Sequence, residues 1–406
     1  MKSSNPFRIH GTVAGEYFAD REAEVARFRG VLGEPAAKLV VYGHRRLGKT
    51  WALDVAAASV REGGGLAVVA DLSTASSVAD MGNRILAAQA ASLGRRWRDV
   101  LTDLTGRLRG TLKVASDPAT GLIIPSVDVS LRHAPVEEQS RTLVDVLDTI
   151  EALARERGVL LGLVLDEFQD LAEIGGERVE WAVRGAIQKH EHVSYIFAGS
   201  KPHLIRRMLH DKGRALYQLA DELPFGPIDP LRMAEWIDER LGSAGIESAG
   251  AGAACVAVAG PRTRDIVELA RKCADRAASA GSADADSVHQ AFLELIFEKD
   301  DGIRSWWDGL TALQQNVLRA VAGSADGLTT ARTRRRFTLP STGSAANTAK
   351  ALLEGGRLVR TDNGSGYVFD NPFVRGWVVY HALPDLGLTL RWTHRASETA
   401  EYADAR

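Results

Sequence analysis

A phosphate-binding loop pattern near the start of the chain restricts the fold more than any other feature. A short apolar run at residues 38–42 leads directly into Gly-x-x-x-x-Gly-Lys-Thr at residues 43–50, and the following stretch, WALDVAAASV, has the composition of a helix. In this strand–loop–helix setting the glycines let backbone N–H groups converge on an anion, and the positive end of the helix adds to the attraction. The pattern therefore predicts a nucleotide-phosphate site, whereas a chance glycine-rich turn would lack these flanking elements.

The residues of this loop have separate expected roles. Lys49 should reach the β- and γ-phosphates, and the Thr50 hydroxyl should ligate Mg²⁺. The sequence has no Asn-Lys-x-Asp pattern for reading guanine, which favours ATP over GTP. The residues expected around the bound ATP are Gly43, His44, Arg45, Arg46, Leu47, Gly48, Lys49, Thr50 and Trp51.

The segment before the loop, residues 15–33, starts irregular and becomes helical. Its apolar residues recur at helical spacing at Val25, Phe28, Val31 and Leu32. Asp20 stands where it could cap that helix. Any amphipathic helix would share this pattern, but the position just before the phosphate loop suggests a segment, including Phe18, that lies over the adenine.

A second apolar run, residues 158–165, ends in the adjacent carboxylates Asp166 and Glu167. An unbroken apolar strand fits the middle of a parallel sheet that is covered on both faces, and such sheets bind ligands at the carboxyl ends of their strands. We therefore expect Asp166 to hold Mg²⁺ together with Thr50. Glu167 should polarise the attacking water, which favours hydrolysis over transfer to another acceptor. The alternative is a capped strand end with solvated acidic residues.

Another buried strand, at residues 192–200, ends in Ser200. A polar side chain there would lie between the two acidic residues and the γ-phosphate, so Ser200 could report whether that phosphate is present. As a lone serine it would otherwise be unremarkable. The arginines that follow, Arg206, Arg207 and Arg214, could contact phosphates or could be ordinary surface charges.

Composition bounds the remaining functions. The chain has 406 residues, 45% of them hydrophobic, and a formal net charge of −2, so we expect two or three domains and no overall electrostatic signature for nucleic acid. Cys255 and Cys273 are expected as buried thiols of a reducing compartment, with a free reactive thiol as the alternative. No stretch resembles a signal peptide or is long enough to span a bilayer, so a soluble, cytoplasmic protein without a membrane partner is expected.

Together these motifs resemble the archaeal-type predicted ATPases of the AAA+/STAND group of P-loop NTPases, relatives of the origin-recognition ATPases. The resemblance covers nearly the full length of the chain. Its motifs are a Phe-x-x-Arg-Glu segment (Phe18, Arg21, Glu22), Tyr-Gly-x-Arg-Arg-x-Gly-Lys-Thr at residues 42–50, Asp-Glu-Phe-Gln at residues 166–169 and Gly-Ser at residues 199–200. The chain departs from the pattern at Asp20, where the family usually has glycine.

The resemblance implies an α/β P-loop NTPase fold of AAA+ type, with sheet order 5-1-4-3-2, a helical lid and a C-terminal winged helix. The expected domains are the ATPase at residues 1–228, the lid at 229–304, the winged helix at 305–383 and a polar tail at 384–406. Alternating apolar and polar residues predict a β-hairpin insertion near 111–131, with strands at 111–115 and 126–131. Relatives place a phosphate-sensing arginine where Arg264 stands, although Arg262 and Arg264 could both be structural.

The pattern of residues 305–383 itself predicts the winged helix. Helices are expected at 306–321, 329–336 and 344–354, followed by strands at 358–361 and 367–369 around an Asn-Gly turn. Arg334, Arg335, Arg336 and Lys350 belong to the one local excess of basic residues, which is compatible with DNA phosphates. Packing within the protein or against a partner protein is the equal alternative.

The preferred function is a switch that binds ATP with Mg²⁺ and hydrolyses it to ADP and phosphate. One rival is a DNA-binding protein of the origin-recognition type whose affinity is set by ATP. The other is a signalling or defence ATPase that holds nucleotide tightly and forms homo-oligomers on a trigger. The sequence names neither the partner nor the trigger.

Overall fold

The computed structural model describes residues 5–9, 19–93, 112–116, 123–127, 134–323, 327–361, 364, 366–384, 388–390 and 402–404 of the chain. The contacts divide the chain into two compact units. We call Thr12–Pro227 the first unit, and Met1–Gly11 together with Ile228–Arg406 the second unit. The first unit ends close to the residue at which the ATPase domain was expected to end.

A parallel sheet forms the centre of the first unit. The strands of this unit are β1 (Lys38–Tyr42), β2 (Leu66–Asp71), β3 (Leu112–Ser116), β4 (Ile123–Val127), β5 (Leu161–Asp166), β6 (Val193–Gly199) and β7 (Asp221–Pro224). The central sheet has the order β2-β5-β6-β1-β7, and all its neighbouring strands are parallel. When its strands are counted one to five along the chain, this is the predicted order 5-1-4-3-2, which is confirmed.

Helices cover both faces of this sheet. They are α1 (Glu22–Leu32), α2 (Lys49–Glu62), α3 (Val78–Leu93), α4 (Val136–Glu156), α5 (Gln169–Ile187) and α6 (Pro202–His210). Alternate residues of a strand face opposite sides, so Leu39 and Val41 pack with α1 and α2, whereas Val40 and Tyr42 pack with α3 to α6. Apolar residues are therefore needed at successive positions, which is why the central strands lack polar alternation.

The predicted hairpin is present, with different strand bounds. β3 and β4 pair antiparallel, and Ser116 lies opposite Ile123. The second strand begins at Ile123 rather than at residue 126. The predicted helix at residues 78–110 is α3 up to Leu93, and its remainder lies outside the described residues.

The expected cap of α1 is corrected by the structure. Arg21, and not Asp20, precedes the first helical residue, and no side chain caps this end of α1 by a hydrogen bond. Asp20 has a φ of 33°, and its backbone conformation therefore differs from the extended one that a capping residue usually adopts.

The second unit begins with a helical part. Its helices are α7 (Pro230–Ser243), α8 (Ala251–Ala259), α9 (Thr263–Ala277) and α10 (Ala285–Glu298). Two short strands, β8 (Glu247–Ala249) and β9 (Ser282–Asp284), pair in parallel between these helices. They are absent from the sequence prediction because three residues are too few to show a strand periodicity.

The remaining elements of the second unit follow in the predicted order, with one correction. They are α11 (Asp300–Asp308), α12 (Ala312–Gly323), α13 (Ala331–Arg336), α14 (Thr342–Glu354), β10 (Leu358–Arg360), β11 (Tyr367–Phe369) and α15 (Pro372–Trp377), followed by a π-type turn at Val378–Ala382. The single helix predicted at 306–321 is two helices. Thr311 starts the second: its Oγ1 accepts from the Gln314 N–H at 3.3 Å, and Gln314 Oε1 accepts from the Thr311 N–H at 2.9 Å.

β10 and β11 pair antiparallel, as the hairpin prediction required. In the expected polar tail, β12 (Leu388–Leu390) and β13 (Tyr402–Asp404) also pair antiparallel. The boundary between lid and winged helix near residue 304 stays a prediction. Within the described residues, no helix combines the length and the apolar character that crossing a membrane requires.

Residues 5–9, which we call the N-terminal strap, bind the second unit although the sequence analysis assigned them to the ATPase domain. Phe7 is 0% exposed, and its ring lies 5.6 Å from that of Trp236 on α7. The Arg240 guanidinium donates to the Pro6 carbonyl at 2.9 and 3.1 Å, and Arg271 donates to the Phe7 carbonyl at 2.8 Å. The correction follows from these long-range contacts, for which sequence position gives no signal.

We predict that Phe7→Ala lowers the free energy of unfolding of the second unit by about 3–5 kcal/mol, the usual cost of removing a buried phenylalanine ring. Thermal unfolding followed by calorimetry measures the change. Glu239→Ala, at an exposed position of α7, is the control and should change stability by no more than about 0.5 kcal/mol. Equal stability of both variants would contradict the docking of the strap.

Candidate nucleotide-binding site

The phosphate loop connects the carboxyl end of β1 to the first turn of α2. Gly48, just before the helix, has a φ of 91°, a left-handed conformation that costs other residues about 1–2 kcal/mol. The Gly43 N–H donates to the Gly199 carbonyl at 3.2 Å, which ties the start of the loop to the end of β6. Because the first N–H groups of a helix have no acceptor within it, this end of α2 suits a phosphate.

Lys49 and Thr50 begin α2 beside the end of β5. Lys49 is 5% exposed, and Asp166, the last residue of β5, is 3% exposed. The Thr50 hydroxyl donates to Asp166 Oδ2 at 2.6 Å. The structure thus brings together the three residues that the sequence analysis placed around the phosphates and Mg²⁺.

The chemistry of these side chains fits a bound Mg²⁺–nucleotide. Burial raises the pKa of the Asp166 carboxyl above its ordinary value, and the nearby Lys49 ammonium and Thr50 hydroxyl oppose that rise. A divalent cation would favour the charged carboxylate at this place. Carboxylate and hydroxyl oxygens are also ligands that Mg²⁺ takes together with phosphate oxygens. Thr50 and Asp166 would be the donors from the protein.

Glu167 follows Asp166 with a backbone φ of 55°, which is uncommon for any residue except glycine. Its Oε2 accepts a hydrogen bond from Ser200 Oγ at 2.6 Å. Arg45 Nε, in the phosphate loop, donates to the same Ser200 Oγ at 3.2 Å. Ser200 therefore connects the phosphate loop with the residue expected to polarise water.

Gln169 is a member of this site to which the sequence analysis gave no role. Its side-chain amide donates to Glu167 Oε2 at 2.5 Å and to Asp170 Oδ1 at 3.1 Å. Its Oε1 accepts from the Ser200 backbone N–H at 3.2 Å. In the sequence Gln169 is the last residue of the Asp-Glu-Phe-Gln motif. Its place at the start of a helix, two positions after Glu167, is the signal that could have indicated its contact with Glu167.

The segment before the loop contacts the loop through Arg21. This arginine is 5% exposed, and its Nη2 donates to the carbonyls of Gly226 at 2.6 Å and Leu47 at 3.4 Å. Its guanidinium lies 4.2 Å from the centre of the Phe225 ring. Arg21 thereby fixes the phosphate loop against the chain that follows β7. Phe18, expected over the adenine, lies outside the described residues.

The other loop residues differ in exposure. Leu47 is buried, Arg46 and Trp51 are half-buried, and His44 and Arg45 are exposed. Their contacts with ATP stay predictions.

Arg214 is neither a surface charge nor placed to bind a phosphate. It is 8% exposed and bonds to the buried Glu180, with Nε donating to Oε2 at 3.1 Å and Nη2 donating to Oε1. Burial raises the pKa of the Glu180 carboxyl, and Arg214 opposes that rise. Arg206 and Arg207, in contrast, are exposed on α6.

The two lid arginines differ in their surroundings. Arg262 is 4% exposed and donates from Nη2 to Asp370 Oδ1 at 2.7 Å, which is a structural role within the second unit. Arg264 is exposed near the start of α9. Its role as phosphate sensor stays a prediction.

The predicted DNA-contacting residues are not equally accessible. Arg335 and Lys350 are exposed, whereas Arg334 and Arg336 are half-buried. Lys350 lies 3.8 Å from a carboxylate oxygen of Glu354, one helical turn further along α14.

Both cysteines are buried thiols, as the sequence analysis preferred. Burial raises the pKa of Cys273 to about 11 and that of Cys255 well above its ordinary value. Neither is a reactive thiolate at neutral pH.

The sheet order, the phosphate loop and the adjacent acids at the end of β5 define the fold of an AAA+-like P-loop ATPase. No protein family and no curated protein matches the sequence. A Walker-type ATPase of Pyrococcus abyssi has a similar structure, with a TM-score of 0.58 and 15% identity over 92% of this chain and 99% of that one. The ORC2 protein of Aeropyrum pernix, in complexes with ADPNP and ADP, is similar with a TM-score of 0.52 and 13% identity over 90% of this chain and 95% of that one. At these identities the likeness shows a shared fold, and the resemblance to origin-recognition-like ATPases is confirmed at that level.

We predict that Asp166→Asn raises the melting temperature of the nucleotide-free protein. An acid whose pKa is raised by folding contributes its stability below the pKa of the unfolded chain, about 3.9 for Asp, and that contribution is lost as the pH rises through the folded-state pKa. The amide removes this loss, so the gain should be larger at pH 8 than near pH 4, at about 2–4 °C for each 1 kcal/mol.

Calorimetry of both proteins at the two pH values measures the gain. Asp71→Asn, at an exposed carboxylate that ends β2, is the matched control for the loss of one carboxylate. A melting temperature for Asp166→Asn below that of the wild type at pH 8 would contradict the prediction.

Proposed function

We propose that the protein binds ATP with Mg²⁺ and hydrolyses it to ADP and phosphate, as a nucleotide-dependent switch of the AAA+/STAND type. The observation that carries this proposal is the hydrogen bond of 2.6 Å between the Thr50 hydroxyl and the buried Asp166 carboxylate, with Glu167 as the next residue. A phosphate loop alone supports nucleotide binding. Glu167 adds a group that can take a proton from water.

Each side chain has a role that its position supports. Lys49 neutralises charge on the β- and γ-phosphates. Thr50 and Asp166 would hold Mg²⁺, which would supply positive charge beside the phosphoryl group. Glu167 accepts a proton from the attacking water. The water oxygen bonds to the γ-phosphorus while the bond from phosphorus to the bridging oxygen of ADP breaks. Ser200, bonded to both Glu167 and Arg45, senses the γ-phosphate.

The similar structures support a nucleotide ligand. The Pyrococcus abyssi protein is a Walker-type ATPase, and the Aeropyrum pernix ORC2 protein was solved with ADPNP and ADP. The absence of a guanine-reading pattern from the sequence favours ATP. Phe18 on the adenine, Arg264 as a phosphate sensor and a cytoplasmic location belong to the same proposal.

Glu167→Gln tests hydrolysis directly. The amide keeps the shape of the side chain but cannot accept the proton, so the turnover rate should fall at least ~10²-fold while Mg²⁺–ATP binding is retained. Phosphate release under saturating ATP measures turnover, and calorimetric titration measures binding.

Lys49→Ala is the matched control for binding. Loss of the positive charge beside the phosphates should abolish ATP binding, because Lys49 is the only lysine in residues 43–50. Normal ATP affinity of this variant would contradict the phosphate-loop assignment. Normal turnover by Glu167→Gln would contradict only the role of Glu167 and would leave the phosphate-loop assignment standing.

A second candidate function is ATP-regulated DNA binding through a winged helix. Two observations favour it. The helices α12 to α14 precede the antiparallel hairpin of β10 and β11, as in a winged helix, and Arg332, Arg335 and Lys350 are exposed on α13 and α14. Basic side chains on such a surface neutralise DNA phosphates. A partner protein that packs there is the alternative.

The triple variant Arg332→Ala, Arg335→Ala and Lys350→Ala should weaken binding to all DNA sequences alike. The slope of log affinity against log salt should fall by up to about 0.9 for each lost phosphate contact. Filter binding at several salt concentrations measures this slope, and removing the exposed Arg29, Arg155 and Lys189 of the first unit is the charge-matched control. No DNA binding by the wild type at low salt would exclude this function.

A further inference from the structure

Gln169 connects the ends of two neighbouring strands through its side chain. The residue is 0% exposed and stands at the start of α5, directly after β5. Its amide nitrogen donates to Glu167 Oε2 at 2.5 Å, and its amide oxygen accepts from the Ser200 N–H, just after β6, at 3.2 Å. A backbone N–H can only donate, so the amide oxygen must face Ser200 and the nitrogen must face Glu167.

The end of β6 is shaped to admit this amide. A Cβ added to Gly199 would lie 2.6 Å from Gln169 Oε1 and 2.7 Å from a carbon of Ile205. Any other residue at position 199 would therefore displace the Gln169 side chain. The absence of a side chain at Gly199 thus leaves the space that the Gln169 amide occupies.

Both donors to the Glu167 carboxylate bind the same oxygen. Ser200 Oγ and Gln169 Nε2 lie 2.6 and 2.5 Å from Oε2, and neither of these bonds involves Oε1. The φ of 55° places Glu167 outside both strand and helix, so regular secondary structure does not determine where its carboxylate points. These two hydrogen bonds do.

We propose that Gln169 is a positioning residue for Glu167. It holds Oε2 so that Oε1 is left to accept the proton of the attacking water. The inference rests on the proposed ATP hydrolysis and adds a residue that acts through Glu167 rather than on the nucleotide.

A purely structural role for Gln169 makes a different prediction. Any buried amide needs hydrogen-bond partners, and losing them destabilises the fold wherever the amide lies. Such a role would lower stability without separating turnover from binding. A positioning role lowers the turnover number and leaves the affinity for ATP unchanged, because the phosphate loop is untouched.

Gln169→Met keeps the length of the side chain and removes both hydrogen-bonding groups. We expect its turnover number to fall about 10–10²-fold, the scale of a misplaced catalytic group, while KM and the Kd for Mg²⁺–ATP stay within about twofold of wild type. Gln139→Met is the matched control. Gln139 is also buried, and its amide bonds to the Ala79 N–H at 3.3 Å and the Ala134 carbonyl at 2.8 Å, so this variant should lose stability without losing turnover.

The double variant Glu167→Gln, Gln169→Met separates the two roles. If Gln169 acts through Glu167, the double variant should turn over no more slowly than Glu167→Gln alone. Two results would overturn the inference while leaving ATP hydrolysis established. One is wild-type turnover by Gln169→Met. The other is a double variant that is slower than Glu167→Gln by the same factor by which Gln169→Met slows the wild type. If the wild-type protein binds ATP but does not hydrolyse it, both the proposed function and this inference are overturned. The wild type is therefore measured before any variant.

Discussion

The position of β6 between β1 and β5 is the constraint on which the rest of the site depends. Side chains at the carboxyl ends of parallel strands meet at one edge of the sheet. The phosphate loop follows β1, the two acids end and follow β5, and Ser200 follows β6. The hydrogen bond between Thr50 and Asp166 therefore joins elements on either side of β6. Its length of 2.6 Å shows that the two expected metal ligands are in direct contact.

The sequence predicted the parts of the site that are local. A phosphate loop and a strand that ends in two acids are short patterns, and each has its chemistry within a few residues of the chain. The sheet order came from the resemblance and was confirmed. What the sequence could not predict are contacts between distant residues: Arg21 bonds to the carbonyl of Gly226, 205 positions away, and Gln169 accepts from Ser200, 31 positions away. Such pairs depend on how strands and loops meet, which no local periodicity encodes.

The errors in the fold have two different causes. The break between α11 and α12 depends on the reciprocal bonds of Thr311 and Gln314, which a continuous apolar periodicity concealed. The Arg214 side chain looked solvent-exposed in a polar stretch, whereas it neutralises a carboxylate in the interior. The helix start therefore had a local signal, whereas a buried ion pair depends on the surroundings that a residue meets after folding.

The N-terminal strap has a consequence for the order of events during synthesis. Its partners Arg240 and Arg271 lie 234 and 264 residues after the strap carbonyls that they bind. At about 5–20 residues per second, the ribosome adds those residues roughly 10–50 s after the strap has been made. The whole of the first unit is translated in that interval. Phe7, an apolar residue that ends fully buried, therefore has no binding partner until the first unit has been translated, and its docking follows the synthesis of that unit.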